Sequence, residues 1–148
     1  MEIEEHVMEP MPQALNPHNK PKNKLHGKVA LITGGDIGIG RAICYSFALE
    51  GASIAFTYLK GFKIVDAKDP IAISTDVGYD ENCRKVVDEV VNNFGTIDIL
   101  VNNASERHMA NSIKEITADR LQRVFRTNIF SHFFMTRSLK PMYFLFYF

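Results

Sequence analysis

The stretch "LITGGDIGIGRA", residues 31–42, holds four glycines between Gly34 and Gly40. An apolar run, "VALIT" (29–33), leads into it, and a segment of good helix formers, "RAICYSFALE" (41–50), leads out. Glycine weakens strands and helices alike, so bare backbone at this junction needs another reason. The N-terminus of a helix presents N–H groups without intrahelical partners and a partial positive charge, and both attract phosphate. Phosphate comes close only where side chains are absent. Gly34 then allows the tight turn, Gly38 lets a pyrophosphate reach the backbone, and Gly40 lets the helix pack on the strand. A bare turn is the simpler alternative; the position between a buried strand and a helix favours the phosphate reading. The mononucleotide loop G-x-x-x-x-G-K-[ST] is excluded, because Arg41-Ala42 follows Gly40 where lysine and a hydroxyl are required. The dinucleotide pattern G-x-G-x-x-G is not matched either; what stands here is T-G-x-x-x-G-I-G.

Outward from this turn, strands and helices alternate. "KVALIT" (28–33) is a continuous apolar run, the pattern of a strand covered on both faces. A helix is predicted from the glycines to about Glu50, stopped by Gly51. "SIAFTY" (53–58) and "IAIS" (71–74) read as further strands. Cys83, Val86, Val87, Val90, Val91 and Phe94 form one apolar stripe at helical spacing, with Asp80 as the expected cap and Gly95 as the stop. "IDILVNN" (97–103) is a fourth strand. A last helix is expected from near Thr117, with Leu121, Val124, Phe125, Asn128 and His132 along one face. This alternation implies a parallel sheet with helices on its faces.

The 148 residues suit one domain with a real core. Formal net charge is zero, so no broad basic surface points to nucleic acid or an anionic membrane. Cys44 and Cys83 form no C-x-x-C and read as reduced thiols of a cytoplasmic protein. The five histidines show no ligand spacing, so no metal is expected. The acidic start "MEIEEHVMEP" reads as neither a secretory signal nor a transit peptide, and no apolar run is long enough for a membrane span. Residues 1–27, rich in Pro and Asn, are expected to be a disordered arm.

Four motifs in order resemble the short-chain dehydrogenases/reductases: "TGGDIGIG" (33–40), "TDV" (75–77), "NNAS" (102–105) and "RTNIFSHFFMTR" (126–137). "HVMEPMPQ", "KLHGKVALITGG" and "DENCRKVVDEV" are similar to the plant glucose and ribitol dehydrogenase homologs within that family. The resemblance implies a Rossmann-like, doubly wound parallel sheet, incomplete here, with about four strands in the order 3-2-1-4. It implies NAD(P)-dependent oxidoreduction at a CH–OH group of a polyol or sugar. It places Gly34, Gly38, Ile39 and Gly40 along the pyrophosphate, with Thr33, Asp36 and Ile37 as further cofactor-binding residues. It places Asp76 and Val77 at the adenine, Asn103 and Ala104 at the nicotinamide-side ribose, and Asn128 in the catalytic tetrad. Independently of it, an amide on an apolar helix face needs partners, or is simply solvated. NAD enzymes usually carry an acid at the end of the second strand. That position here is Tyr58, followed by Leu59 and Lys60. Lys60 suits a 2′-phosphate, which tilts the expectation from NAD to NADP; an ordinary solvated lysine is the alternative.

The resemblance breaks in three places. Ile37 replaces a serine common in the subgroup, and leaves the backbone of the turn usable. The connection 59–70 is too short for the family's helix there, so "GFKIV" (61–65) reads as the junction of a deletion. Beyond Lys140 the family pattern stops: "PMYFLFYF" (141–148) holds neither the serine that positions the reacting group nor the Tyr-x-x-x-Lys whose tyrosine transfers the proton in the family. The expectation is a truncated N-terminal part, with residues 28–140 as a partial NAD(P)-binding domain and 141–148 as a foreign aromatic tail. It is expected to be inactive alone. The alternatives are a non-catalytic dinucleotide-binding or interaction module, or a non-functional product. An open strand edge and the aromatic C-terminal third point to self-association, or to association with full-length family members.

Overall fold

A computed structural model describes residues 20–60 and 70–139. Four strands, β1 (Val29–Ile32), β2 (Ser53–Tyr58), β3 (Ile71–Ser74) and β4 (Ile99–Val101), form one parallel sheet in the order β3-β2-β1-β4. Four helices accompany them: α1 (Gly38–Leu49), α2 (Asp80–Phe94), α3 (Ala118–Phe125) and α4 (Ser131–Ser138). The Rossmann-like topology expected from the sequence is the one observed.

The continuous apolar strands are explained by burial on both faces. Successive side chains of a strand point to opposite sides. Val29 and Leu31 therefore join Ala55, Ile73 and the α2 residues Cys83, Val86, Val87 and Val90 on one face, with Met135 of α4. Ala30 and Ile32 join Ile54, Phe56 and Cys44 of α1 on the other. The stripe on α2 is the one the spacing predicts, and Gly95 closes the helix in the left-handed conformation at φ +82°.

The cap of α2 differs from expectation. Asp80 is the first helical residue, not the cap; Tyr79 takes that position without a side-chain cap bond. The Asp80 carboxylate instead pairs with Arg84 in its own helix and with Arg137 Nη2 of α4 at 2.6 Å. A negative charge in the first turn still suits the helix dipole.

The last helix also departs from its expected face. Its middle, Arg126–Phe130, is a π-helical segment. The wide turn shifts the helical register, so residues before and after it do not share one stripe. Thr127, Ser131 and Met135, spaced by four, are buried. Leu121 and Phe125, which the spacing puts on one face with Asn128 and His132, are exposed, as are Ile129, Phe130 and Phe133.

Within the expected arm, residues 20–27 run on the surface. The amides of Lys22 and Lys24 each donate to Glu50 Oε2 at 3.0 Å. The rest of the arm, the junction 61–65 and the tail 141–148 lie outside the described residues.

Candidate functional site

Parallel strands bring their C-terminal ends to one edge of the sheet. In open α/β sheets the ligand crevice lies outside that edge, where the strand order reverses. Here the reversal falls between β1, whose chain continues towards β2, and β4 on its other side. The glycine turn after β1 and the "NNAS" loop after β4 meet at this point.

Thr33 and Asn103 tie the two loops together. Thr33 Oγ1 accepts the amides of Asn103 at 2.9 Å and Ala104 at 3.0 Å. The Asn103 side chain returns the tie: its Nδ2 donates to the carbonyls of Thr33 at 3.0 Å and Gly34 at 2.9 Å. From the β2 side, Thr57 Oγ1 accepts from the Gly34 amide at 3.2 Å, and the Thr57 carbonyl from the Gly35 amide at 3.0 Å. Three strand ends thus fix one turn.

Each glycine has its own reason. Gly34 and Gly38 take φ of +64° and +57°, a region open to glycine and costly for other residues. At Gly40 a Cβ would overlap the Gly34 carbonyl oxygen and come 2.5 Å from Asn103 Nδ2. At Gly35, which carries no role in the sequence reading, it would come 2.5 Å from Phe56 Cβ. Packing therefore requires Gly35 and Gly40, and backbone conformation requires Gly34 and Gly38. The turn delivers the start of α1 to the crevice, with Ile37 as a cap residue that makes no side-chain bond. Ile37 and Ile39 point outward, Ile39 at 74% exposure, while Asp36 is buried. A helix N-terminus approached over bare backbone is chemically suited to a nucleotide phosphate.

Tyr58 closes β2 half-buried, and Lys60 beyond it is exposed. No carboxylate follows β2 within the described residues up to Lys60.

The loop after β3 carries Asp76 and Val77. Val77 is buried in the core, where its carbonyl accepts from Cys83 Sγ at 3.2 Å. Asp76 is partly buried and held at both oxygens: the Gly78 amide donates to Oδ1 at 2.9 Å, and Arg123 Nη1 to Oδ2 at 2.7 Å.

Asn128 lies in the π-helical segment, and its amide clamps the backbone of Glu106. Its Oδ1 accepts the Glu106 amide at 2.7 Å, and its Nδ2 donates to the Glu106 carbonyl at 2.9 Å. Sequence reasoning missed Glu106, Arg123, Thr127 and Thr57, because nothing in their spacing marks them. Glu106 Oε2 accepts from Arg123 Nε at 2.7 Å and Thr127 Oγ1 at 3.1 Å, and Oε1 faces His108 Nε2 at 2.9 Å. Burial pushes the Glu106 carboxyl up, but the bonds from Arg123, Thr127 and His108 outweigh it and hold it below the usual range. The same two carboxylates raise the Arg123 guanidinium further, keeping it charged at every working pH.

The thiols stay outside this chemistry. Burial pushes Cys44 up to about 12 and Cys83 to about 11, so neither is a ready nucleophile. Among the described residues no His, Cys, Asp or Glu group is arranged for a metal ion. No helix among them is long and apolar enough to cross a membrane.

A family profile described as short chain dehydrogenase matches residues 28–144. The glucose and ribitol dehydrogenase of Daucus carota is 58% identical across 93% of this chain and 53% of its own length. The Arabidopsis thaliana protein "NADPH-dependent aldehyde reductase 1, chloroplastic" is also 58% identical, across 93% of this chain and 54% of its own length. The alignments extend over 154 positions, more than this chain contains, so these relatives carry residues within the matched region that it lacks. A short-chain dehydrogenase from Burkholderia cenocepacia, solved in complex with NADP, superposes with a TM-score of 0.72 at 35% identity. That match covers 78% of this chain and 50% of the other. The chain spans about half the length of the relatives it matches. With the sheet order, the glycine turn and the loops at the sheet edge in agreement, the chain belongs to the short-chain dehydrogenase family.

Proposed function

We propose that this chain binds the phosphate end of an NADP or NAD dinucleotide at the C-terminal edge of its sheet. It corresponds to the cofactor-holding half of an oxidoreductase that acts on a CH–OH group of a polyol or sugar. The observation that carries this reading is the Asn103 bridge, which holds the glycine turn open as bare backbone at the start of α1. The backbone of Gly34 to Gly40 would receive the pyrophosphate, with Thr33 and Asp36 behind it and Ile37 and Ile39 flanking it. Asp76 would accept a hydrogen bond from the adenine amino group, beside the Val77 backbone. Asn103 and Ala104 would border the nicotinamide-side ribose. A bound dinucleotide supplies the hydride acceptor or donor.

NADP is the preferred cofactor in this reading. Lys60 is exposed at the end of β2 and suits a 2′-phosphate, and Tyr58 stands where NAD enzymes usually place an acid. The NADPH-dependent Arabidopsis relative and the NADP-bound Burkholderia enzyme support the same choice.

Hydride transfer by this chain alone is not expected. Asn128 is the one tetrad position present, and its amide is committed to the Glu106 backbone. No Tyr-x-x-x-Lys stands anywhere in the sequence. A positioned proton-transfer group contributes about 10²–10⁴-fold, and none is supplied here. The exposed apolar residues of α3, the π-helical segment and α4 fit contact with a second copy or a full-length family member. Two buried, unpaired thiols suit a reducing compartment, which we take to be the cytoplasm.

Reduced-cofactor absorbance in a mixture of the purified chain, NADP and glucose or ribitol tests the catalytic half of this reading. No signal above a heat-killed control is expected, and steady turnover would refute it.

A further inference from the structure

The loops after β3 and β4 belong to opposite edges of the sheet, yet one side chain spans them. Arg123 of α3 donates through Nη1 to Asp76 at 2.7 Å and through Nε to Glu106 at 2.7 Å. Glu106 is in turn clamped by Asn128, and its carboxylate accepts from the buried hydroxyl of Thr127. A second arginine acts on the β3 side. The Arg126 guanidinium lies 5.1 Å from the centre of the Tyr79 ring, and its side chain lies beside Gly78. Arg123 of α3 thus joins the loop after β3 to the loop after β4, and the π-helical segment is tied in through Glu106 on one side and Tyr79 on the other.

We infer that Arg123 is a positioning residue, which locks the loops after β3 and β4 into one rim so that Asp76 presents its carboxylate in a fixed plane to the adenine 6-amino group. The inference rests on the dinucleotide reading above. The chemistry favours arginine at this point. Its planar fork binds two carboxylates with different nitrogens, which a lysine ammonium cannot do in the same geometry. With one Asp76 oxygen held by Arg123 and the other by the Gly78 amide, the carboxylate cannot rotate. Each oxygen keeps a lone pair for a further donor. Glu106 acts at one remove: it holds Nε and thereby sets the direction of Nη1. A residue that never touches Asp76 therefore controls how Asp76 meets the base.

The test is calorimetric titration of the 148-residue chain with ADP and with purine riboside 5′-diphosphate, which has the same phosphates and ribose but no 6-amino group. The wild type should bind ADP about tenfold more tightly, the worth of a hydrogen bond to a charged acceptor. Arg123→Met should bring the ratio to about one while affinity for the amino-less ligand stays within about twofold. Glu106→Gln should lower the ratio at least about threefold, although it lies on the other loop. Thermal melts of each variant establish that it is folded, and Glu106→Gln decides the matter if Arg123→Met does not fold. An unchanged ratio in folded Arg123→Met, or in Glu106→Gln, overturns the inference and leaves the dinucleotide reading standing. A wild-type ratio near one overturns both the Asp76 contact and the role of Arg123. Absence of binding of either ligand to the wild type refutes the dinucleotide reading itself.

Discussion

Gly40→Ala adds one methyl group where the structure has no place for it. The new Cβ would overlap the Gly34 carbonyl oxygen and lie 2.5 Å from Asn103 Nδ2. The first obstacle is backbone, held at its amide by Thr57 of β2 and at its carbonyl by Asn103 of the loop after β4, so it cannot move aside as the end of a flexible chain would. Overpacking of this kind costs about 1–3 kcal/mol, and the upper end applies to a backbone clash. Displacing Asn103 also breaks its bond to the Gly34 carbonyl, about 1 kcal/mol more. Replacing a helical glycine by alanine returns about 1 kcal/mol of helix propensity. The net loss is about 3 kcal/mol, which lowers the melting temperature of a domain near this size by roughly 6–12 °C. Gly95→Ala is the control. Its Cβ would meet nothing within 4 Å, so only the left-handed conformation at φ +82° is penalised, about 1–2 kcal/mol. Circular-dichroism melts of both variants beside the wild type provide the comparison. If Gly40→Ala melts with the wild type, or above Gly95→Ala, the Asn103 bridge does not hold the turn as described.

Thr33→Val removes the acceptor shared by the Asn103 and Ala104 amides. It should cost about 2 kcal/mol in urea unfolding, and an unchanged midpoint would mean that the tie is not formed in solution. Cys44 and Cys83 keep their protons in the folded chain to about 12 and about 11, whereas an unfolded thiol ionises near 9.0. The unfolded state therefore binds fewer protons above this value, and stability falls as pH rises, by up to about 1.4 kcal/mol per pH unit for each thiol. Cys44→Ala should flatten the fall in urea midpoint between about pH 8 and pH 10; equal slopes in variant and wild type would contradict the burial of this thiol. In the native chain both thiols should resist a thiol-specific reagent that labels them at once in denaturant.

The layers of the fold were legible because each rests on a period. The apolar runs of β1 and β2 and the stripe from Cys83 to Phe94 are local patterns whose burial follows from strand and helix geometry alone. The glycine turn was legible for a different reason: regular structure gives glycine no advantage, so its density marks a special junction. Three things were hidden. The π-helical segment at Arg126–Phe130 shifts a face by its hydrogen-bond pattern, which no spacing announces, and so Leu121 and Phe125 are exposed while Asn128 and His132, on the same face by spacing, are half-buried. Asp80 suits a cap by type, but its carboxylate is drawn to Arg84 and Arg137, the latter far along the chain. The Arg123 network joins residues from three separate segments, each an ordinary charged or polar residue in its own neighbourhood. Asn128 lies between these cases: an amide on a partly buried helix demands partners, but that they are the backbone of Glu106 is a tertiary fact.

Calorimetric titration of NADPH into the wild-type chain and into Gly38→Val tests the central claim most directly. Gly38 enters α1 at φ +57°, where a β-branched residue is strained, and valine would set a branched side chain beside the first N–H groups of the helix. Melting curves of both proteins confirm folding before the titration. Weak, saturable binding by the wild type and at least about tenfold weaker binding by the folded variant are the results predicted. Equal affinities in the two proteins would contradict the assignment of the glycine turn as the phosphate site.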